Sequence, residues 1–168
     1  PRKELSEVGC ARSKNASLKY FPSASCLIND KIHPMRKLSH EELQARQAGR
    51  QPRLPLTLVL NNIRSLYNVG SIFRTADGAG AEKIWLCGIT GTPPDSQISK
   101  TALGAEKEVP WEFCEDAKIC VQKLREQGYK IILLEQTAES IPYENYEPDE
   151  KVCLVLGNEI GGVSESLL

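Results

Sequence analysis

The sequence predicts an α/β fold, a mostly parallel sheet flanked by helices. Three observations predict it. "LTLVLN" (56–61), "YKIILLE" (129–135) and "KVCLVLG" (151–157) are continuous apolar runs of strand length, the pattern of strands covered on both faces. Helical periodicity lies between them, most clearly in "EDAKICVQKLREQG" (115–128), where Ala117, Cys120, Val121 and Leu124 form one stripe and Gly128 stops the helix. Strand and helix alternate along the chain, which argues a layered fold with its ligand site beyond the carboxyl ends of the strands.

Residues 1–34 mix Ser, Lys, Asn and Pro without periodicity and read as a poorly ordered extension ahead of Met35, the only methionine. Residues 35–55 read as a short basic helical lead-in. Within it Ser39 caps "SHEELQARQAGR" with Glu42 reaching back, Gly49 ends the helix, and "QPRLP" is a rigid connector. The α/β domain spans 56–168. After the 56–61 strand, Val69, Ile72, Phe73, Ala76 and Gly80 recur at helical spacing over 69–80. "KIWLCG" is a second strand, "TPPD" a turn, and a short helix near Ser99–Leu103 precedes a third strand in "VPWEF".

At 168 residues the chain is long enough for one sizeable core, and 40% hydrophobic with 26% charged residues is ordinary for a globular protein. The sequence has neither a membrane-length apolar run nor a signal-peptide core, so a cytoplasmic location is expected. Six cysteines form no C-x-x-C pair and only His33 and His40 are present, which argues against a zinc site. Cys87 and Cys153 lie in strand-like runs and read as small core hydrophobes. Charge is uneven: residues 1–53 carry 11 Lys and Arg against 5 Asp and Glu, whereas residues 111–168 carry 5 against 12. A basic N-terminal third suits contact with a polyanion; a solvated basic tail is the plainer alternative.

Three loops leave strands at the carboxyl ends, beginning at Asn61, at "EQTAES" (135–140) and at "GNEIGGVS" (157–164). In "NIRSLYNVGSIFRTADGAG" (62–80), Asn68 is placed to cap the helix, with Gly70 and Ser71 in its first turn. Arg64 and Arg74 flank that N-terminus, and guanidinium groups grip phosphate in two-pronged fashion. The junction reads as a phosphodiester site; a capped helix with two surface arginines is the alternative. In "LVLGNEIGGVS" three glycines permit close backbone approach, and Glu159 stands among them just past a buried strand. Neither a dinucleotide fingerprint nor a phosphate loop ending in G-K-[ST] is present, and no Ser-His-Asp or Cys-His arrangement is plausible.

Taken together, "NVGSIFRTADGAG" and "LVLGNEIGGVS" resemble motifs 1 and 2 of the SpoU (TrmH-like) RNA methyltransferases of the SPOUT class, over roughly 54–168. The resemblance implies a SPOUT-type α/β knot, S-adenosylmethionine as cofactor, a homodimer, and methyl transfer to a ribose 2′-hydroxyl of tRNA or rRNA. It implies that Asn68, Arg74 and Glu159 are the catalytic residues. It places the cofactor against Leu134, Glu135, Gln136 and Thr137, and against Gly157, Asn158 and Ile160. For RNA, Arg64 and Ser71 stand beside that site by their place at the helix start, and the basic character of the N-terminal region makes Arg36, Lys37, Arg46, Arg50 and Arg53 the expected backbone contacts. A guanidinium does not readily lose its proton, so Arg74 is expected to hold phosphate and stabilise developing alkoxide charge rather than act as a base.

The given chain stops at Leu168, short of the third motif of that family, an Asn- and Ser-containing turn entering the last helix. The expectation is a form truncated in its knot segment, with a weakened donor site and an exposed apolar edge. Two functions are in play: the RNA 2′-O-methyltransferase, and a non-catalytic RNA-binding fragment without a complete cofactor pocket. If residues 1–34 are an extension, removing them leaves the thermal unfolding midpoint unchanged; a large drop would show that they belong to the folded core.

Overall fold

The computed structural model describes residue 39, residues 41–42, 53–147 and 151–167. The chain divides into two units, Pro1–Ala48 and Gly49–Leu168. In the first, Ser39 and Glu42 form the expected reciprocal cap. The Ser39 N–H donates to Glu42 Oε2 at 2.8 Å, and the Glu42 N–H donates to Ser39 Oγ at 3.2 Å. The predictions for residues 1–34 and for Arg36, Lys37, Arg46 and Arg50 lie outside the described residues.

The second unit is built on five parallel strands: β1 (Leu54–Asn61), β2 (Ala81–Cys87), β3 (Trp111–Cys114), β4 (Lys130–Leu134) and β5 (Val152–Leu156). Their order across the sheet is β3-β2-β1-β5-β4. The chain runs outward from β1 to β3, crosses to β4 on the far edge, and returns so that β5 lies beside β1. The β1–β5 boundary is therefore the switch point, where loops diverge and leave a crevice beyond the strand ends.

The alternation within strands explains the two-sided cover. Leu58, Leu60, Ile84 and Leu86 face one side and pack with α1 (Leu66–Ala79), α2 (Ser96–Ala102) and α3 (Ala105–Glu108) through Val69, Phe73, Ile98 and Ala105. Val59, Trp85, Cys87, Cys153 and Val155 face the other side, against Ala117, Cys120, Val121 and Leu124 of α4 (Ala117–Glu126). Cys87 and Cys153 are wholly buried, as their sequence context implied, and burial pushes the Cys153 thiol up to about 12. Gly70 lets α1 and α2 meet at backbone distance: a methyl there would stand 2.2 Å from the Ile98 carbonyl oxygen.

Several boundaries shift by a residue or more from the sequence expectations, and three of the differences bear on how the chain is held. The strand β1 starts at Leu54, so the last two residues of the expected lead-in are already sheet, and the register shift between Leu54 and Thr57 accommodates Pro55. The helix α1 starts at Leu66 rather than Val69, because Ser65 is its N-cap and accepts from the Asn68 N–H at 3.3 Å. The short helix after "TPPD" begins at Ser96, where Asp95 caps it, and α3 follows as a helix that the sequence reading lacked.

Arg53 also stands elsewhere than expected. Its guanidinium donates to the Ala81 and Glu108 carbonyls at 3.1 and 2.8 Å and to Asp77 Oδ1 at 3.2 Å. It joins the starts of β1 and β2 to the ends of α1 and α3, at the opposite end of the sheet from the three loops. Three of its donors are engaged in the fold there, so the structure gives Arg53 a clamping role at that end, away from the loops.

Phe73 is the largest side chain buried without remainder among the described residues, so Phe73→Ala is expected to cost about 3–5 kcal/mol in urea unfolding. Thr75→Ala, on the exposed face of the same helix, should stay within about 0.5 kcal/mol.

Candidate active site

Two loops meet at the β1–β5 crevice. Asn61 and Asn62 leave β1 and are shaped for the turn they make. Asn61 is 3% exposed; its Nδ2 donates to Ser164 Oγ at 2.7 Å, while its Oδ1 accepts from Asn62 Nδ2 at 3.1 Å. Asn62 takes φ 61, a left-handed conformation that Asn tolerates, and its Oδ1 accepts from the Ile89 N–H at 3.1 Å. Thr90, also buried, accepts from the Ile63 N–H at 3.0 Å and donates to the Leu60 and Cys87 carbonyls. Much of the polar equipment of "NNIR" therefore holds the turn itself.

Glu159 joins the two loops. Its Oε2 accepts from the Arg64 N–H at 3.2 Å, and its Oε1 from the Ser65 N–H and from Asn68 Nδ2, both at 3.0 Å. A carboxylate from the β5 loop thus occupies the anion position at the N-terminus of α1. This corrects the expectation that Asn68 caps the helix and leaves that end open. Ser65 is the cap, and Asn68 turns its amide outward to the carboxylate. Desolvation works to raise the Glu159 pKa. Hydrogen bonds from its own backbone, Ser65, Arg64 and Asn68 outweigh it and hold the carboxyl below the ordinary range.

The β5 loop is built to present that carboxylate. Asn158 and Gly162 exchange backbone hydrogen bonds at 2.8 and 2.9 Å, and Asn158 Oδ1 accepts from the Ile160 and Gly161 N–H groups. Asn158 Nδ2 reaches the Asn62 carbonyl at 2.8 Å, a third tie between the loops. Gly157 is required by contact: a methyl there would lie 2.1 Å from the Gly162 carbonyl carbon and from the Val163 nitrogen. On the other flank, Glu135 accepts from the Gln136 N–H at 2.9 Å and the Val163 N–H at 2.8 Å, and these two bonds lower its pKa. Thr137 bonds with Ser140 and shapes the 135–140 loop. Asn158 and Glu135 thus use their side chains within the loops.

The sequence-chosen residues fall into three groups. Asn68, Ser71, Gly157 and Glu159, with Ile63, Ile72 and Leu156, line a cleft of about 340 Å³. Leu134, Glu135, Gln136 and Thr137 lie beside the 157–162 turn, because Leu134 is in register with Leu156 and Glu135 reaches Val163. Leu134 and Ile160 present apolar surface there, 57% and 90% exposed. Arg64 and Arg74 are exposed, and their guanidinium groups have no hydrogen-bond or ion-pair partner among the described residues. No bond joins Arg74 to the Asn68–Glu159 cluster. Ser65 and Thr90 were missed. Ser65 carries a legible signal, a serine just before the first helical residue, whereas nothing in "GIT" reveals Thr90.

Because Glu159 is held below the ordinary glutamate range, its stabilisation is present at neutral pH and lost as pH falls through the folded-state value. Wild type should therefore lose more unfolding free energy on acidification from pH 7 to pH 3 than Glu159→Gln, whose amide cannot titrate. Parallel slopes for the two in chemical denaturation would sink that assignment.

Comparison with known proteins fits this architecture. The 23S rRNA (guanosine-2′-O-)-methyltransferase RlmB of Neisseria meningitidis serogroup B is 31% identical over 109 residues, 65% of this chain and 43% of that protein. An AdoMet-bound rRNA methyltransferase from Sinorhizobium meliloti superposes with a TM-score of 0.62 at 27% identity, covering 70% of this chain and 45% of the other. The TrmH/SpoU tRNA modifying enzyme of A. aeolicus shares the fold at a TM-score of 0.61 and 23% identity, over 70% of this chain and 58% of that one. The chain spans about half the length of such relatives. Residues 55–168 match the SpoU rRNA Methylase family, and the chain belongs to that family.

Proposed function

We propose that this chain carries the methyl-transfer domain of an S-adenosylmethionine-dependent RNA methyltransferase acting on a ribose 2′-hydroxyl of tRNA or rRNA. One observation carries the reading: the Glu159 carboxylate locks the Arg64–Asn68 segment to the β5 loop. That lock leaves two exposed arginines beside a cleft and next to a pair of loops that fit a nucleoside. The RlmB relative is named for 2′-O-methylation of guanosine, and the Sinorhizobium relative is described as AdoMet-bound.

The residues fit the donor. The 134–137 and 157–162 segments lie side by side, offer backbone donors and acceptors, and expose Leu134 and Ile160 to an adenosyl group. The bound donor supplies a sulfonium methyl that is already activated, so the protein's task is alignment and charge stabilisation. Arg64 and Arg74 hold the phosphates flanking the target ribose, as exposed guanidinium groups suit bidentate phosphate binding. Arg74 then stabilises charge developing on the 2′-oxygen and remains protonated throughout. Glu159 does not touch substrate; it keeps the loop and Asn68 in place. A homodimer is part of the same proposal, in keeping with the resemblance of the two motifs.

Arg74→Lys keeps the charge and loses the two-pronged geometry. With radiolabelled donor and bulk tRNA or rRNA, its methyl transfer should fall at least about a hundred-fold, on the scale of losing one charge-stabilising donor. Donor affinity by calorimetry should be unchanged. Wild-type turnover in that variant, or no saturable donor binding by the wild-type chain, would overturn the reading.

A further inference from the structure

The exposed face of α1 holds a stripe that the proposed chemistry only partly uses. Tyr67, Ser71, Arg74 and Gly78 follow one another at intervals of four, three and four residues, so they share one side of the helix, and all four are exposed. Tyr67 to Arg74 spans about 10 Å along the axis. Gly78 opens the far end of this face, since a methyl there would meet nothing within 4 Å.

Tyr67 is the unusual member. It is 44% exposed, directly precedes Asn68, and lies three residues from Arg64. Its backbone is held from two helices: the Ser71 and Thr101 hydroxyls both donate to its carbonyl at 2.9 Å. The close contact of α1 and α2 at Gly70 brings Lys100 over the ring, with Nζ 5.8 Å from its centroid. An aromatic ring on an anchored stretch of backbone is therefore open to solvent, next in the chain to Asn68 of the cleft, with Lys100 toward one face and Arg64 and Arg74 before and after it along the chain.

A ring with cations around it suits a nucleobase whose own face is free and whose flanking phosphates reach the cations. Bases inside a duplex are stacked on both faces and cannot take such a partner. We infer that Tyr67, with Lys100 over one face of its ring, stacks its other face on an unpaired base next to the methylated ribose, so that the enzyme selects looped or single-stranded RNA. This rests on the RNA reading above and adds to it a selectivity for unpaired target sites.

The test uses the full chain with a fluorescent single-stranded RNA and the same RNA annealed to its complement. Tyr67→Leu should weaken single-strand binding by between about 5- and 150-fold, the range for losing one stacked base. Tyr67→Phe, which keeps the ring, should retain the affinity. Duplex binding, thermal midpoint and donor affinity should be unmoved in both variants. The loss should also persist at raised salt, where phosphate contacts fade. Single-strand binding by wild type that Tyr67→Leu matches overturns the stacking alone. So does an equal loss on duplex, or a change in oligomeric state with unaltered RNA affinity, which would make the stripe a contact between copies. A wild-type chain that binds neither RNA overturns the RNA reading itself.

Discussion

The site depends on one carboxylate placed at the start of one helix. Glu159 receives two backbone N–H groups and one side-chain amide from the segment that opens α1. Each of those donors would otherwise face water or a ligand, and the helix dipole adds to the attraction. A shorter Asp would have to draw the loops together to reach them, and a neutral amide would set its own N–H groups against them. The geometry of Arg64, Ser65 and Asn68 is consequently not a property of their own loop. It is imposed across the sheet by the loop after β5.

That arrangement separates holding from acting. Glu159, Asn158, Thr90 and Asn62 have their polar atoms engaged inside the protein, and they fix where the segment runs. Arg64 and Arg74 carry charge into solvent and are left available to a polyanion. The far end of the sheet follows the same division. There Arg53, an arginine of identical chemistry, is held by two carbonyls and a carboxylate and ties strands to helices.

The parallel sheet, its crossover helices and the three loops at its carboxyl ends were legible because buried strands and amphipathic helices leave strong periodic signals. The pairing of motifs was legible too, since "NVGSIFRTADGAG" and "LVLGNEIGGVS" together resemble two motifs of one family, although the adjacency of their strands was not. What linked them was not. Asn68 has the right chemistry for a helix cap, and only the fold decides that Ser65 takes that task while Asn68 bonds to a residue 91 positions away. Arg53 misled for a related reason: a basic residue in a basic segment looks solvent-facing until its carbonyl partners, far apart in sequence, are brought to it.

The register of β1 against β5 has a consequence for how the molecule comes into being. Arg64 and Glu159 stand 95 residues apart along the chain, and the sheet must be nearly complete before they meet. Contacts of such long range form only after their loop-closure entropy has been met by the rest of the structure. As the polypeptide emerges from synthesis, the opening of α1 therefore waits for its carboxylate while β2, β3 and β4 are laid down. A chain made only as far as β4 has the arginines without the carboxylate that fixes their segment, so that segment is held in place only once β5 and its loop have joined the sheet.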